Sequence, residues 1–155
     1  MVWENVCKNF LEWWRFYLVG ELDQNFNGIG KYTWKNEDNY IGEHKNSKLK
    51  GIAQKIFHNG ICYIGEFLHS EYFGFGKYIF HNGSFYLGNF KNNYFRGEGK
   101  YSMQKGEYYL GEFIMDKSAG IGNYTFKSGN FFQGDFFNGK SHGFGKYTLI
   151  NNHYY

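Results

Sequence analysis

The chain has 155 residues, enough for one domain, with 22 glycines, no proline, and Phe, Tyr and Trp at 24%. Glycine without proline excludes a collagen-like or linker-type chain, and so many rings with large apolar areas to bury exclude disorder. The net charge of +3 is mild and diluted, which argues against a nucleic-acid protein, where a clustered basic face is expected.

Residues 1–16 come first and have their own period. Trp3, Val6, Phe10, Trp13 and Tyr17 recur at helical spacing, and Cys7, Leu11 and Trp14 widen the stripe. This predicts a short N-terminal helix, either a cap on the first repeat or a docking segment, with Trp13 and Trp14 as candidate partner-binding residues. Glu4, Lys8, Glu12 and Arg15 are expected to exclude a signal peptide or membrane span, which places the chain on the cytoplasmic side. Cys7 and Cys62 lack the spacing of a disulfide framework or zinc site and fit a reducing compartment.

From residue 17 onward a step of 23 residues governs the sequence. Glycines stand at 28, 51, 74, 97, 120 and 143; two residues on, Gly30, Gly76, Gly99, Gly122 and Gly145 repeat, with Ala53 substituted. A second set, Gly42, Gly65, Gly88, Gly111 and Gly134, is preceded two residues earlier by Tyr40, Tyr63, Tyr86, Tyr109 or Phe132. It is followed by Glu43, Glu66, Asn89, Glu112 or Asp135. The units run 17–39, 40–62, 63–85, 86–108, 109–131 and 132–154.

Within each unit the pattern alternates with period two. Tyr63, Gly65 and Phe67 share one parity, and Gly74, Gly76, Tyr78 and Phe80 share another, so each unit reads as two strands. Loops such as His69–Phe73 separate the strands, and Asn59-Gly60, Asn82-Gly83, Lys105-Gly106 and Ser128-Gly129 turn tightly into the next unit. Periodic glycine inside strands leaves slots that rings from neighbouring strands cover. The expected fold is all-β: an elongated antiparallel ribbon of β-hairpins, stabilised by stacking unit on unit.

Three sharper signals have plain alternatives. Gly134-x-x-x-x-Gly139-Lys140-Ser141 fits the phosphate-loop formula, but a strand and not a helix is expected after it. The recurrent acids occupy equivalent settings, unlike a catalytic pair, and are expected to bond turn amides or lysines. His58 and His81 sit one unit apart, about 10 Å, too far to share a zinc ion. No catalytic, cofactor-binding or metal-binding residue is therefore expected, and no cofactor.

The pattern Tyr-x-Gly-Glu-Phe, followed seven residues later by Gly-x-Gly-x-Tyr-x-Phe, resembles the MORN repeat (membrane occupation and recognition nexus) over residues 17–154. The resemblance implies a grooved hairpin ribbon that serves as a non-catalytic interaction scaffold. Proteins built mainly of such repeats resemble radial-spoke-head components of cilia and flagella, cytoskeletal scaffolds and membrane-junction proteins. Where members are enzymes, the chemistry belongs to an attached domain.

Both faces of the ribbon carry apolar residues. Ile41, Ile64, Leu87 and Leu110 form one aliphatic column; Ile29, Ile52, Phe75, Ile121 and Phe144 form another, interrupted by Glu98. Tyr72, Phe73, Tyr94 and Phe95 add rings that either fold onto their own strand or anchor a partner. The expected partners are proteins of a multi-subunit assembly, possibly a second ribbon, in an axonemal or cytoskeletal setting. Loop lysines Lys45, Lys48, Lys50 and Lys140 make anionic membrane lipid the alternative.

Overall fold

The computed structural model describes residues 27–150. The helix expected over 1–16, with Trp13 and Trp14, lies outside them. The described residues form eleven strands and no helix. In chain order they are β1 (Gly28–Thr33), β2 (Asn39–Lys45), β3 (Lys48–Ile56), β4 (Cys62–Leu68), β5 (Glu71–Ile79), β6 (Phe85–Lys91), β7 (Tyr94–Ser102), β8 (Tyr108–Ile114), β9 (Lys117–Thr125), β10 (Phe131–Phe137) and β11 (Lys140–Thr148). They lie side by side in sequence order in one open antiparallel sheet. Eleven strands at about 4.8 Å spacing make a ribbon roughly 48 Å long, with its hydrogen bonds running lengthwise.

The two rims of the ribbon turn differently. Between units the turn has three residues: Phe57 N–H donates to the Ile61 carbonyl, Gly60 N–H to the Phe57 carbonyl, and Gly60 takes a φ of 84°. Gly83, Gly106 and Gly129 repeat this, which is why glycine recurs there. Within a unit the turn is only two residues, both left-handed: His69 (φ 53°) and Ser70 (72°), Asn92 (52°) and Asn93 (69°), Met115 (48°) and Asp116 (67°). The expected loop His69–Phe73 is thus corrected. Glu71 already pairs with Leu68, and Tyr72 and Phe73 lie inside β5.

One face, the inner one, carries the core. Tyr63 pairs with Tyr78, and Gly65 with Gly76 directly beside them. The Tyr63 ring covers both glycines; a Cβ on Gly76 would lie 2.6 Å from its hydroxyl oxygen. Tyr86 covers Gly88 and Gly99, Tyr109 covers Gly111 and Gly122, and Phe132 covers Gly134 and Gly145. The expected ring-over-glycine slots are present, each ring covering one glycine of its own strand and one of the next. The rings interlock along the ribbon: Tyr63 meets Phe67 and Phe90 edge-on at 5.1 and 5.0 Å, and Tyr86 meets Phe90 and Phe113 at 5.2 and 4.9 Å. Such pairs contribute about 0.5–1.5 kcal/mol each beyond area burial.

After the paired glycines the strands slip. Gly65 pairs with Gly76, but Glu66 pairs with Phe73, leaving Gly74 and Phe75 as a bulge. Gly74 takes φ +59°, and a Cβ there would come 2.6 Å from the Glu66 carboxylate. That carboxylate accepts the Phe75 N–H at 3.3 Å. Glu112 over Gly120 repeats the arrangement. The recurrent acids therefore cap bulges.

Candidate interaction surface

The inner face is largely spent on its own packing. Tyr40, Tyr63, Tyr86 and Tyr109 are buried, and their hydroxyls donate to the carbonyls of Glu43 (2.9 Å), Glu66 (2.9 Å), Asn89 (3.0 Å) and Glu112 (3.2 Å). Burial pushes the Tyr86 and Tyr109 hydroxyls up to about 12 and raises Tyr63 further, so they stay protonated donors. Tyr72 and Phe95 belong to this face. Tyr72 stacks on Tyr63, and Phe95 on Tyr86, each at 3.9 Å between ring centres. The two-residue turn places both on the parity of the core, Phe95 buried and Tyr72 half-buried. Phe73 and Tyr94, one residue before or after them, are exposed on the opposite face.

The first described unit departs from the pattern. His44 stands where later units have Phe67, Phe90, Phe113 and Phe136. Its ring packs edge-on to Tyr40 at 4.8 Å, and Nδ1 is buried without a hydrogen-bond partner among the described residues. Burial lowers its pKa despite a hydrogen bond with the Gly42 backbone. With Tyr32, Trp34, Ser47 and Leu49 it lines a cleft of about 240 Å³. Nearby, Asp38 accepts from the His58 backbone N–H at 3.0 Å and faces the His58 ring at 3.3 Å. Burial raises the Asp38 carboxyl, but the His58 and Asn36 hydrogen bonds and the charge of Lys55 outweigh it and hold the carboxyl low.

The outer face is different. The column Ile41, Ile64, Leu87, Leu110 emerges progressively: Ile41 is buried, Ile64 half-buried, Leu87 36% exposed and Leu110 51% exposed. Of this column, Leu87 and Leu110 are the residues that offer apolar area to solvent, and Ile41 offers almost none. Around them Phe75, Ile121 and Phe144 of the second column stand exposed, Phe144 at 93%. Ile114, Met115 and Phe137 join them and were not singled out from the sequence. Ile114 and Phe137 follow the repeat's phenylalanine, Phe113 or Phe136, so their parity alone placed them on this face. The Lys77 and Lys100 ammonium groups lie 4.5 and 4.3 Å from the Phe85 and Tyr108 ring centres, shielding part of it.

Asn138-Gly139 of the phosphate-loop formula is the turn between β10 and β11, and a strand follows it. Among the described residues no group of three or more His, Cys, Asp and Glu is placed to hold a metal ion, and no helix is long and apolar enough to cross a membrane.

A one-layer ribbon of repeated hairpins, its inner face closed by its own rings and its outer face rich in exposed apolar side chains, defines a β-repeat scaffold. A family model described as MORN repeat matches residues 19–38, 63–85, 86–108, 109–131 and 132–154, and the chain belongs to the MORN repeat family. No individually curated protein matches the chain.

Proposed function

We propose that the chain is a non-catalytic scaffold that holds a protein partner on the outer face of β6 to β11, within a ciliary or flagellar axonemal assembly of the radial-spoke type or a cytoskeletal one. The observation that carries this reading is the exposed apolar surface of Leu87, Leu110, Ile121 and Phe144 on a sheet whose other face is already filled. The setting rests on the kind of assembly that proteins made mainly of such repeats resemble. Affinity purification of the full chain from ciliated cells, with mass spectrometry, tests it. Axonemal or cytoskeletal proteins should co-purify with the parent and be lost from Leu87→Asp/Leu110→Asp, with the thermal transition retained. A partner-free monomer for both proteins would refute it.

A second reading has one observation of its own. Lys45 and Lys48 pair directly across β2 and β3, and with Lys50 and His69 they line a cleft of about 330 Å³ on one rim. This suits an anionic headgroup. Flotation with vesicles containing anionic lipid at physiological salt decides it; a chain that stays at the bottom of the gradient leaves only the protein scaffold.

A further inference from the structure

The core rings close the floor of the inner face, and a cleft of about 390 Å³ remains above them near the middle of the ribbon. Tyr78, Phe80, Phe95, Tyr101 and Asp116 are among the residues that line it. Phe80 meets Tyr78 and Tyr101 edge-on at 4.9 and 5.8 Å between ring centres. Asp116 comes from the two-residue turn between β8 and β9, and its Oδ1 accepts the Phe95 N–H at 2.7 Å. Its negative charge reaches Tyr78, where it adds to burial in raising the hydroxyl's pKa.

The other units show that this charge is not there for the turn. The same turn position is held by Ser47, Ser70, Asn93 and Gly139, so Asp116 is the one acid in the column. Asn93 and Ser70 make the equivalent bonds to the Tyr72 and Leu49 N–H groups at 2.8 and 3.1 Å while carrying no charge. The turn needs an acceptor, and Asp116 supplies an acceptor and an anion. No lysine or arginine is among the residues lining the cleft. Lys117, next in sequence, donates instead to Asn138 at 2.6 Å.

One unit of the same ribbon shows what such a surface holds. Lys55 stands in the column otherwise occupied by Tyr32, Tyr78, Tyr101, Tyr124 and Tyr147. Its ammonium lies 4.9 and 4.6 Å from the ring centres of Trp34 and Phe57, which precede Phe80 in its own column. Burial lowers the Lys55 pKa, and the charge of Asp38 opposes this. Rings on the inner face with a carboxylate beside them thus already hold one cation.

We infer that the cleft of Tyr78, Phe80, Tyr101 and Asp116 seats the ammonium end of a lysine side chain presented by a partner protein. The rings offer their negative faces, the carboxylate supplies the opposite charge, and the cleft lies within the ~300–1,000 Å³ of ordinary ligand pockets. Asp116 Oδ1 is engaged by Phe95, which leaves Oδ2 for a point charge and not for the two-pronged approach of a guanidinium.

This cleft is on the face opposite the Leu87–Leu110 surface, so the two readings fail separately. N-acetyl-lysine N′-methylamide is titrated into the ¹⁵N-labelled full chain at low salt. The Phe95, Tyr101 and Asp116 amide resonances should shift saturably, and the norleucine counterpart, of the same length without the charge, should bind at least fivefold more weakly. Asp116→Asn, which keeps the acceptor of the turn, and Phe80→Leu should each weaken binding at least threefold, whereas Leu87→Asp/Leu110→Asp should leave it unchanged. Equal binding of the norleucine compound, undiminished binding to Asp116→Asn, or no saturable shift at these amides overturns the inference. Should Phe80→Leu not fold, Asp116→Asn and the norleucine comparison still decide.

Discussion

Tyr63, Tyr86 and Tyr109 each do three things at once: the ring fills the space over two glycines, its edge meets two phenylalanines, and its hydroxyl satisfies a carbonyl at the bulge. His44 breaks this economy, since it puts a polar ring where the later units have phenylalanine. Burial lowers its pKa, so the fold prefers it neutral, while the unfolded chain takes up a proton near pH 6.5. The stability it permits is complete above that pH and is lost as pH falls through the interval down to its folded pKa. The Asp38 carboxyl, held below 3.8, acts only at lower pH. His44→Phe should raise stability at pH 7 by about 1 kcal/mol by removing a buried, unpartnered nitrogen. It should also lose less stability than the parent between pH 7 and 5. Thermal melts of both proteins at each pH check this; a parallel fall in both would show that His44 does not contribute.

Neighbouring hairpins are clasped at their two-residue turns. Asn93 N–H donates to the Tyr72 carbonyl at 3.2 Å, and the Tyr72 N–H returns to Asn93 Oδ1 at 2.8 Å. Asp116 and Phe95 repeat this at 3.4 and 2.7 Å, as Ser70 and Leu49 do at 3.0 and 3.1 Å. Asp116→Ala should cost about 1–2 kcal/mol, through the lost acceptor and the left-handed turn position, while Asp116→Asn stays within about 0.5 kcal/mol. Urea unfolding reads the difference, and equal midpoints for the two variants would discount the clasp. The 23-residue step, the strand parity and the ring-over-glycine slots were legible in the sequence because each is a local, repeated chemistry. The clasp was not, since its partners are 21 residues apart and differ in type from unit to unit. Tyr72 and Phe95 were read as loop rings because Gly74 and Gly97 look like strand starts, whereas they sit inside strands, Gly74 at a bulge that preserves parity. Of the candidate site, the Leu87–Leu110 column was legible, but not its gradient. Ile41 and Leu110 hold the same repeat position and differ in exposure, which repeat position alone does not encode.

Along the described residues, each strand hydrogen-bonds to the strand before and the strand after it, and ring contacts reach one strand further, as between Tyr63 and Phe90, so contacts are local in sequence and stability is a sum over units and their junctions. The strands lie across the long axis and the ladder hydrogen bonds lie along it. Tension applied between residues 27 and 150 therefore loads those bonds one strand at a time instead of shearing a whole ladder together. Stretched in an optical trap, the chain should lengthen in successive low-force steps of roughly 70 Å, one per 23-residue unit; a single high-force rupture would contradict this. An assembly joined through such a ribbon would own an extensible tether, one that yields a hairpin at a time under strain and winds itself back when the load is released.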